Sequence, residues 1–371
     1  MKFQTVGESF SQNSLFFEKA SKEFSEILVF GCGYGESILI KSDSGKFIVV
    51  DSFLNYETGN PIVIDYLNNI GEPLDSIKCV IVTHFHDDHI QGITKILEES
   101  NGASLVVNPI IFRSKKILNY IAKTRTICGN QNRTTKEINK LITFVENNEV
   151  NFVYALSNRI IFSDENSEMF TLEALSPHDE SLDKYILQID SGNWDVAKDL
   201  SYLENLMSVV LLVNTNNSTI LLGGDCVKKE KSSEGWETIC DEYLKRTKAY
   251  RFKADTFKIP HHGSETGQCE LVWKTMLGTN PLAVLTTFNK GRKVPNESEI
   301  KWILDRTNEL YIVGNIKKNN DLSRQLRKAG APEDNEVYFN RGTTGGLKCV
   351  YMDKCNKKYV FAGYVEKVTN S

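Results

Sequence analysis

Half of the chain's six histidines fall within six residues, in the run His84-Phe85-His86-Asp87-Asp88-His89. Neutral imidazoles and carboxylates are the ligands that hold zinc and related cations. Alternate residues at a strand end point the same way, so His84 and His86 face one ion, while Asp88 and His89 turn at a helix start toward a second. Helix capping would explain one aspartate and none of the histidines.

Two neighbouring cations need an anionic bridge. Asp225 is the candidate, because the apolar run Thr219-Ile220-Leu221-Leu222 enters Gly223-Gly224 and then this carboxylate. A second histidine pair, His261-His262, follows another apolar run in Lys258-Ile259-Pro260-His261-His262-Gly263-Ser264. The residues alone do not order those two imidazoles. His178, in Leu175-Ser176-Pro177-His178-Asp179, would complete the first site as a third imidazole. Two divalent cations sharing Asp225 would turn a water into a bridging hydroxide near neutral pH and stabilise negative charge at the attacked centre. That is metal-assisted hydrolysis with no protein nucleophile, and Asp88 and His261 are the residues expected to act in it. Zn2+ is the expected ion, with Mn2+ or Fe accepted by the same donors.

Such ligands need strand ends and tight turns to hold them. From Ile27 to Asp51, β-branched runs broken by Gly and Ser-Asp-Ser-Gly read as a β-meander. Gly31, Gly33 and Gly35 give GxGxG, but the text after them, Ser37-Ile38-Leu39-Ile40, is a strand and not a helix, which excludes a dinucleotide loop. A helix over 61–70 and a strand over 79–82 lead into the histidine run, which opens a helix through Leu97. Strands are expected at 104–108 and within 151–175. Between them lies a Lys- and Arg-rich helical insertion, 109–150, expected to overhang the active site. The second half repeats the alternation, with strands at 209–213, 219–222, 255–259 and 282–287 and helices near 236–247, 267–277 and 296–306. Residues 317–339 read as a polar excursion, followed by a terminal pair of strands at 346–352 and 358–366. The pattern is α/β, taken as a single domain over 1–371.

Bulk properties exclude several classes. The chain is 40% hydrophobic and 25% charged, and no run approaches the length that crosses a bilayer. No secretory signal is evident at the N-terminus, so a cytoplasmic protein without membrane partners is expected. Eight cysteines without a CxxC pair argue against a disulfide framework or a cysteine-built zinc site. The net charge of -4 gives no global attraction to nucleic acid, although local clusters can still hold phosphate. Lys290, Arg292 and Lys293 are such a cluster.

The motifs resemble the metallo-β-lactamase superfamily, in the branch holding the soluble hydrolase domain of the bacterial competence (DNA-uptake) channel protein and phosphorylcholine esterase. Phe30 to Ile40 resembles that branch's opening strand pair, with Cys32 and the extra Tyr34-Gly35 departing from its usual wording. Ile48 to Asp51 resembles the strand ending in the superfamily's first aspartate. Thr83 to Gly92 matches the metal motif, Asn205 to Val210 resembles an NxxS element, and Leu221 to Asp225 and Lys258 to Ser264 resemble LLxGD and KVxHHGS. The resemblance implies a four-layer αββα sandwich with metals at one edge. It also implies that His262 ligates metal while His261 faces a substrate phosphate, that His178 stands where many members carry a third histidine, and that Asp51, Asn205, Ser208 and Ser264 support the ligands from behind.

The leading expectation is therefore a hydrolase of a phosphodiester, in a nucleic acid or nucleotide. Hydrolysis of a lactone, thioester or β-lactam is the enzymatic alternative, since the same hydroxide attacks carbonyl carbon. Di-iron redox chemistry and a metal-containing partner-binding or regulatory role are the others.

Overall fold

Many of the strand-like runs are apolar at successive positions, which suits strands covered on both faces. A computed structural model describes residues 1–6, 15–19, 22–114, 116–117, 133–148, 150–192, 204–228, 235–290, 292–314, 344–352 and 356–369. Within it the elements run β1 (Lys2–Thr5), β2 (Ser25–Gly31), β3 (Glu36–Lys41), β4 (Phe47–Val50), α1 (Ile62–Asn69), β5 (Ile77–Val82), α2 (Asp87–Ile90), α3 (Ile93–Ser100), β6 (Ser104–Val107), α4 (Ile110–Arg113), α5 (Arg133–Asn147), β7 (Phe152–Tyr154), β8 (Arg159–Ser163) and β9 (Phe170–Ala174). The second half adds α6 (Asp179–Ser191), β10 (Leu211–Thr215), β11 (Thr219–Leu222), α7 (Trp236–Lys245), β12 (Ala254–Lys258), α8 (Glu270–Thr275), β13 (Leu277–Thr286), α9 (Glu297–Leu304), β14 (Leu310–Val313), β15 (Gly345–Tyr351), β16 (Lys357–Gly363) and β17 (Val365–Thr369).

Among the described residues the strands form two sheets, ordered β16-β15-β2-β3-β4-β5-β6-β7 and β1-β17-β14-β13-β12-β11-β10-β9-β8. The pleat sends successive side chains to opposite faces. In β2, Ile27 and Val29 enter the core shared by the sheets, while Leu28 and Phe30 pack in the outer layer with α1, α3 and α5. On the other side, α7, α8 and α9 cover the second sheet through Trp236, Ile239, Val272, Ile300 and Ile303. The result is the four-layer αββα sandwich of the metallo-β-lactamase fold.

Each sheet contains a parallel stretch, β4 to β7 in one and β11 to β14 in the other. Parallel strands end on the same side, so the loops after β4, β5, β11, β12 and β13 gather at one edge. Loops at the carboxyl ends of such strands are where α/β sheets bind ligands.

Several expectations need correction. The helix after the histidine run is two short helices, because Gly92 takes φ 81 and a β-carbon there would lie 2.6 Å from Leu54 and 2.8 Å from Pro61. The strand expected over 358–366 divides at Gly363, φ 65, and β16 pairs with β15 while β17 crosses to the other sheet and pairs with β14 and β1. Helix α6 was not anticipated. In the described part of the 109–150 insertion, Ile138 and Leu141 of α5 pack with Ile93, Ile96 and Leu97 of α3, and Glu137 Oε1 accepts the Thr94 N–H at 3.1 Å. Residues 118–132 of that insertion and the whole 317–339 excursion lie outside the described residues. No helix among the described residues is long and apolar enough to cross a membrane.

Candidate metal centre

Asp51 follows β4 in the left-handed region, φ 58, and its carboxylate turns back on the neighbouring strand end. Oδ1 accepts the Thr83 N–H at 2.8 Å, and Oδ2 accepts the Thr83 hydroxyl at 2.6 Å and lies 2.8 Å from His89 Nδ1. Thr83 Oγ1 also lies 3.0 Å from His84 Nδ1. Both rings are thus held through Nδ1, which leaves Nε2 aimed inward.

Asp225 arrives from the opposite sheet through Gly223-Gly224. Gly224 has φ 51, and a β-carbon there would stand 2.6 Å from Ser208 Oγ and 2.9 Å from the Val209 carbonyl. Only glycine permits that approach. Ser208 Oγ then accepts the Asp225 N–H at 3.0 Å.

His261 and His262 both adopt positive φ, 48 and 53, before Gly263 at φ 80. Two successive non-glycine residues in the left-handed region are strained, and such strain concentrates at functional sites. The turn sends His262 inward, 1% exposed, and leaves His261 on the wall of a cavity. His262 Nδ1 lies 3.0 Å from Thr286 Oγ1, whose hydroxyl donates to Glu36 Oε2 at 2.6 Å. Lys258 Nζ pairs with the same oxygen at 2.6 Å. His261 Nδ1 lies 2.8 Å from Thr266 Oγ1 and 2.9 Å from Ser264 Oγ, with Nε2 3.3 Å from Asn205 Nδ2.

The inward atoms converge. His84 Nε2 is 3.7 Å from Asp225 Oδ2, and His89 Nε2 is 3.5 Å from Asp225 Oδ1. Asp88 Oδ2 is 3.6 Å from His89 Nε2 and 3.2 Å from His262 Nε2. Two groups have ligand atoms all within 4.8 Å of one another, His84 with His86 and Asp225, and Asp88 with His89 and His262. Asp51 also groups with His84 and His89, but both its oxygens are already engaged. His84 Nε2, His89 Nε2 and Asp225 Oδ1 are buried without hydrogen-bond partners. Buried polar atoms left unpaired are costly. Divalent cations fit this donor set, since imidazole nitrogens held from behind and converging carboxylates are what such ions require.

The electrostatics divide the cluster. Burial, then His89 and His86, hold His84 well below the ordinary imidazole range, and burial lowers His86. Burial also opposes protonation of His89, but Asp225, Asp88 and Asp51 outweigh it and raise that ring well above its usual value. Asp225 and Asp88 raise His262 in the same way against burial. Burial works to raise Asp225, yet His89 and His262 hold it well below the carboxylate range. The two carboxylates are therefore ionised and ready for cations.

A cavity of about 570 Å³ opens over this cluster, lined among others by His86, Asp88, Asn205, Asp225, His261, His262 and Ser264. Lys290 and Arg292 reach its rim, although Arg292 Nη2 is paired with Glu299 at 3.1 Å; Lys293 is not in the lining. His178 is outside all three ligand groups, which corrects its expected place as a third imidazole. It immediately precedes α6, whose Leu182, Tyr185 and Ile189 dock in the outer layer. The charges facing it are Glu242 and Lys245 of α7 with Asp179 and Glu180. Sequence reasoning missed Glu204, whose Oε2 lies 3.5 Å from His86 Nε2. It also missed the backing of His262 by Thr286, Glu36 and Lys258. The only sequence signal for Glu204 is its position beside Asn205.

Residues 30–126 match the family model described as the metallo-beta-lactamase superfamily. In structure the chain is similar to YhfI, a metallo-beta-lactamase fold protein from Bacillus subtilis, at 11% identity and TM-score 0.39 over 80% of this chain and 97% of that one. It is also similar to a metallo-beta-lactamase with an HARLDQ motif from Cronobacter sakazakii, at 12% identity and TM-score 0.34 over 62% of this chain and 76% of that one. A third likeness is to AbOPH, a hydrolase in the beta lactamase superfamily, at 15% identity and TM-score 0.30 over 51% and 55% of the two chains. No curated protein matches the chain.

Proposed function

We propose that this chain is a member of the metallo-β-lactamase superfamily and a metal-dependent hydrolase of a phosphodiester. In this reading His84, His86 and Asp225 would hold one cation, and Asp88, His89 and His262 would hold the other. Divalent cations bound there would supply Lewis acidity and a nucleophile from water near neutral pH. The observation that carries the substrate reading is the character of the remaining polar lining. Apart from Asp87 it consists of neutral donors and cations: Tyr34, Asn205, His261, Ser264, Thr266, Lys290 and Arg292, the last paired with Glu299. The one further carboxylate, Asp87, is already engaged by the Tyr34 hydroxyl at 2.8 Å and by Gln91 Nε2 at 2.9 Å. Such a wall suits an anion that gains charge in the transition state.

His261 does the proton work. With Nδ1 accepting from Ser264 or Thr266 and the Asn205 amide turned to present Oδ1 in place of the Nδ2 that lies 3.3 Å away, Nε2 would carry the hydrogen that passes to the leaving oxygen. Asn205 keeps that ring oriented. Asp88, with Oδ2 3.2 Å from His262 Nε2, would hold its cation. We also take residues 1–371 as one domain, because β1 at one end of the chain pairs with β17 at the other.

The test is elemental analysis of the purified protein coupled to hydrolysis of bis(p-nitrophenyl) phosphate, p-nitrophenyl acetate, a simple lactone and nitrocefin. Cleavage of the phosphodiester, lost with chelator and restored by zinc or manganese, is expected. Metal-dependent turnover of the carbonyl substrates with no phosphodiester cleavage would sink the reading in favour of acyl hydrolysis.

A further inference from the structure

Tyr34 stands where the chain departs from the wording of its opening motif, and the ligand cluster makes no use of it. Its hydroxyl donates to Asp87 Oδ2 at 2.8 Å and accepts from Lys290 Nζ at 3.0 Å, and that ammonium lies 4.5 Å from the ring centroid. Phe288 is next, its ring 5.3 Å from that of Tyr34 and 5.3 Å from the imidazole of His262. All three side chains line the cavity.

This rim is built rather than loose. The Asn289 N–H donates to the Gly33 carbonyl at 2.6 Å, and Phe288 and Val294 exchange backbone bonds at 2.9 and 3.0 Å. Gly33 has φ 84, and a β-carbon there would stand 2.6 Å from Asn289 Nδ2, so the two loops can meet only over glycine. Burial and the bond to Asp87 keep the Tyr34 phenol protonated.

We propose that Tyr34, Phe288 and Lys290 form a subsite for the planar base of a nucleotide, set beside the phosphate that the cations hold. The proposal rests on the phosphodiester reading. Phe288 is half-buried and lies one ring from His262, so a planar group laid on it sits next to a phosphate at the ligand cluster. Every nucleobase has a face that stacks on such a ring. Lys290 is fixed by Tyr34 at the rim, where it meets the phosphate or its neighbour. A quaternary ammonium is the other common guest of aromatic walls, but here the ammonium of Lys290 already lies 4.5 Å from the Tyr34 ring centroid.

The experiment is calorimetric titration of the zinc-loaded protein with adenosine 5′-monophosphate and with ribose 5-phosphate, which lacks the base. The base is expected to tighten binding about tenfold. Phe288→Ala should erase that advantage and leave ribose 5-phosphate binding as it was, whereas Lys290→Ala should weaken both ligands. Phe288→Leu preserves the apolar packing without the aromatic face and should behave like Phe288→Ala, so a folding defect in the alanine variant does not decide the result. Equal affinity for the two ligands in the unaltered protein, or an advantage that survives in Phe288→Leu, overturns the subsite while leaving the phosphodiester reading in place. Binding of neither phosphate removes both, and preference for phosphocholine over adenosine monophosphate replaces the base with a cationic headgroup.

Discussion

The two halves of the ligand cluster use the same residue types but rest on different supports. Around Asp88, His89 and His262, each imidazole leans on a buried group. Asp51 stands 2.8 Å behind His89 and Thr286 3.0 Å behind His262, with the Glu36–Lys258 pair behind Thr286 at 2.6 Å. In the other half, His84 has Thr83 at 3.0 Å, and His86, 3.5 Å from Glu204 Oε2, has a side chain that is 21% exposed. Both sets come from strand ends of both sheets and both line the cavity; what separates them is the more exposed His86. Support behind a histidine fixes its tautomer and raises its basicity, so the buried half should hold its ion more tightly and the open half should be where ions and substrate exchange.

Asp225 approaches both halves, 3.7 Å from His84 Nε2 and 3.5 Å from His89 Nε2, and its removal should abolish the difference between them. Asp225→Ala is expected to strip both ions and to lower phosphodiester cleavage by about a thousandfold. The fold should survive, because the Asp225 backbone N–H keeps its bond to Ser208 Oγ and the lost carboxylate faces only the cluster. Metal content by mass spectrometry checks it; two retained ions would show that Asp225 is not the bridge.

A narrower change should separate the halves. Thr286→Val keeps the shape of a fully buried side chain but removes the hydroxyl between Glu36 and His262, and Glu36 keeps its bond to Lys258. Loss of such support costs about 10- to 100-fold in metal affinity. Competition titration with a chromogenic chelator should show one ion weakened by that amount and the other unchanged, with Thr286→Ser restoring the first. If both ions weaken equally, the halves are not independent and the comparison fails.

How much of this could be read from the sequence follows from how local each feature is. His84, His86, Asp88 and His89 declare themselves because a strand end and a helix start bring ligands together within six residues. Asp225 and the His261-His262 pair are legible because glycine beside a strand marks a sharp, close turn. Support residues are harder, since Glu36, Thr286 and Lys258 look like ordinary strand residues until three strands from two sheets place them in line. Helix α6 did carry a signal, Leu182, Tyr185 and Ile189 on one face. The division of the last strand at Gly363 turned on one positive φ that no apolar pattern encodes.

Glu204 offers the smallest and most discriminating test of the open half. Burial raises its carboxyl to about 8, with only a bond from the Phe85 backbone acting the other way. The folded protein therefore keeps a proton that the unfolded chain releases once pH passes the ordinary value of 4.5. The favourable contribution is complete below that value and is lost progressively as pH rises through the folded value, where a buried carboxylate must ionise. Glu204→Gln preserves the shape and cannot ionise. In metal-free protein, its melting temperature should match that of the unaltered chain near pH 5 and exceed it by a few degrees at about pH 8.5. With metal present, the 3.5 Å contact to His86 is too long for a strong support, and the variant should weaken the open-half ion by less than tenfold, below the range for a well-made one. A melting difference constant across pH would mean that Glu204 is not held neutral by burial. A metal loss as large as that of Thr286→Val would mean that the open half is as firmly backed as the buried one.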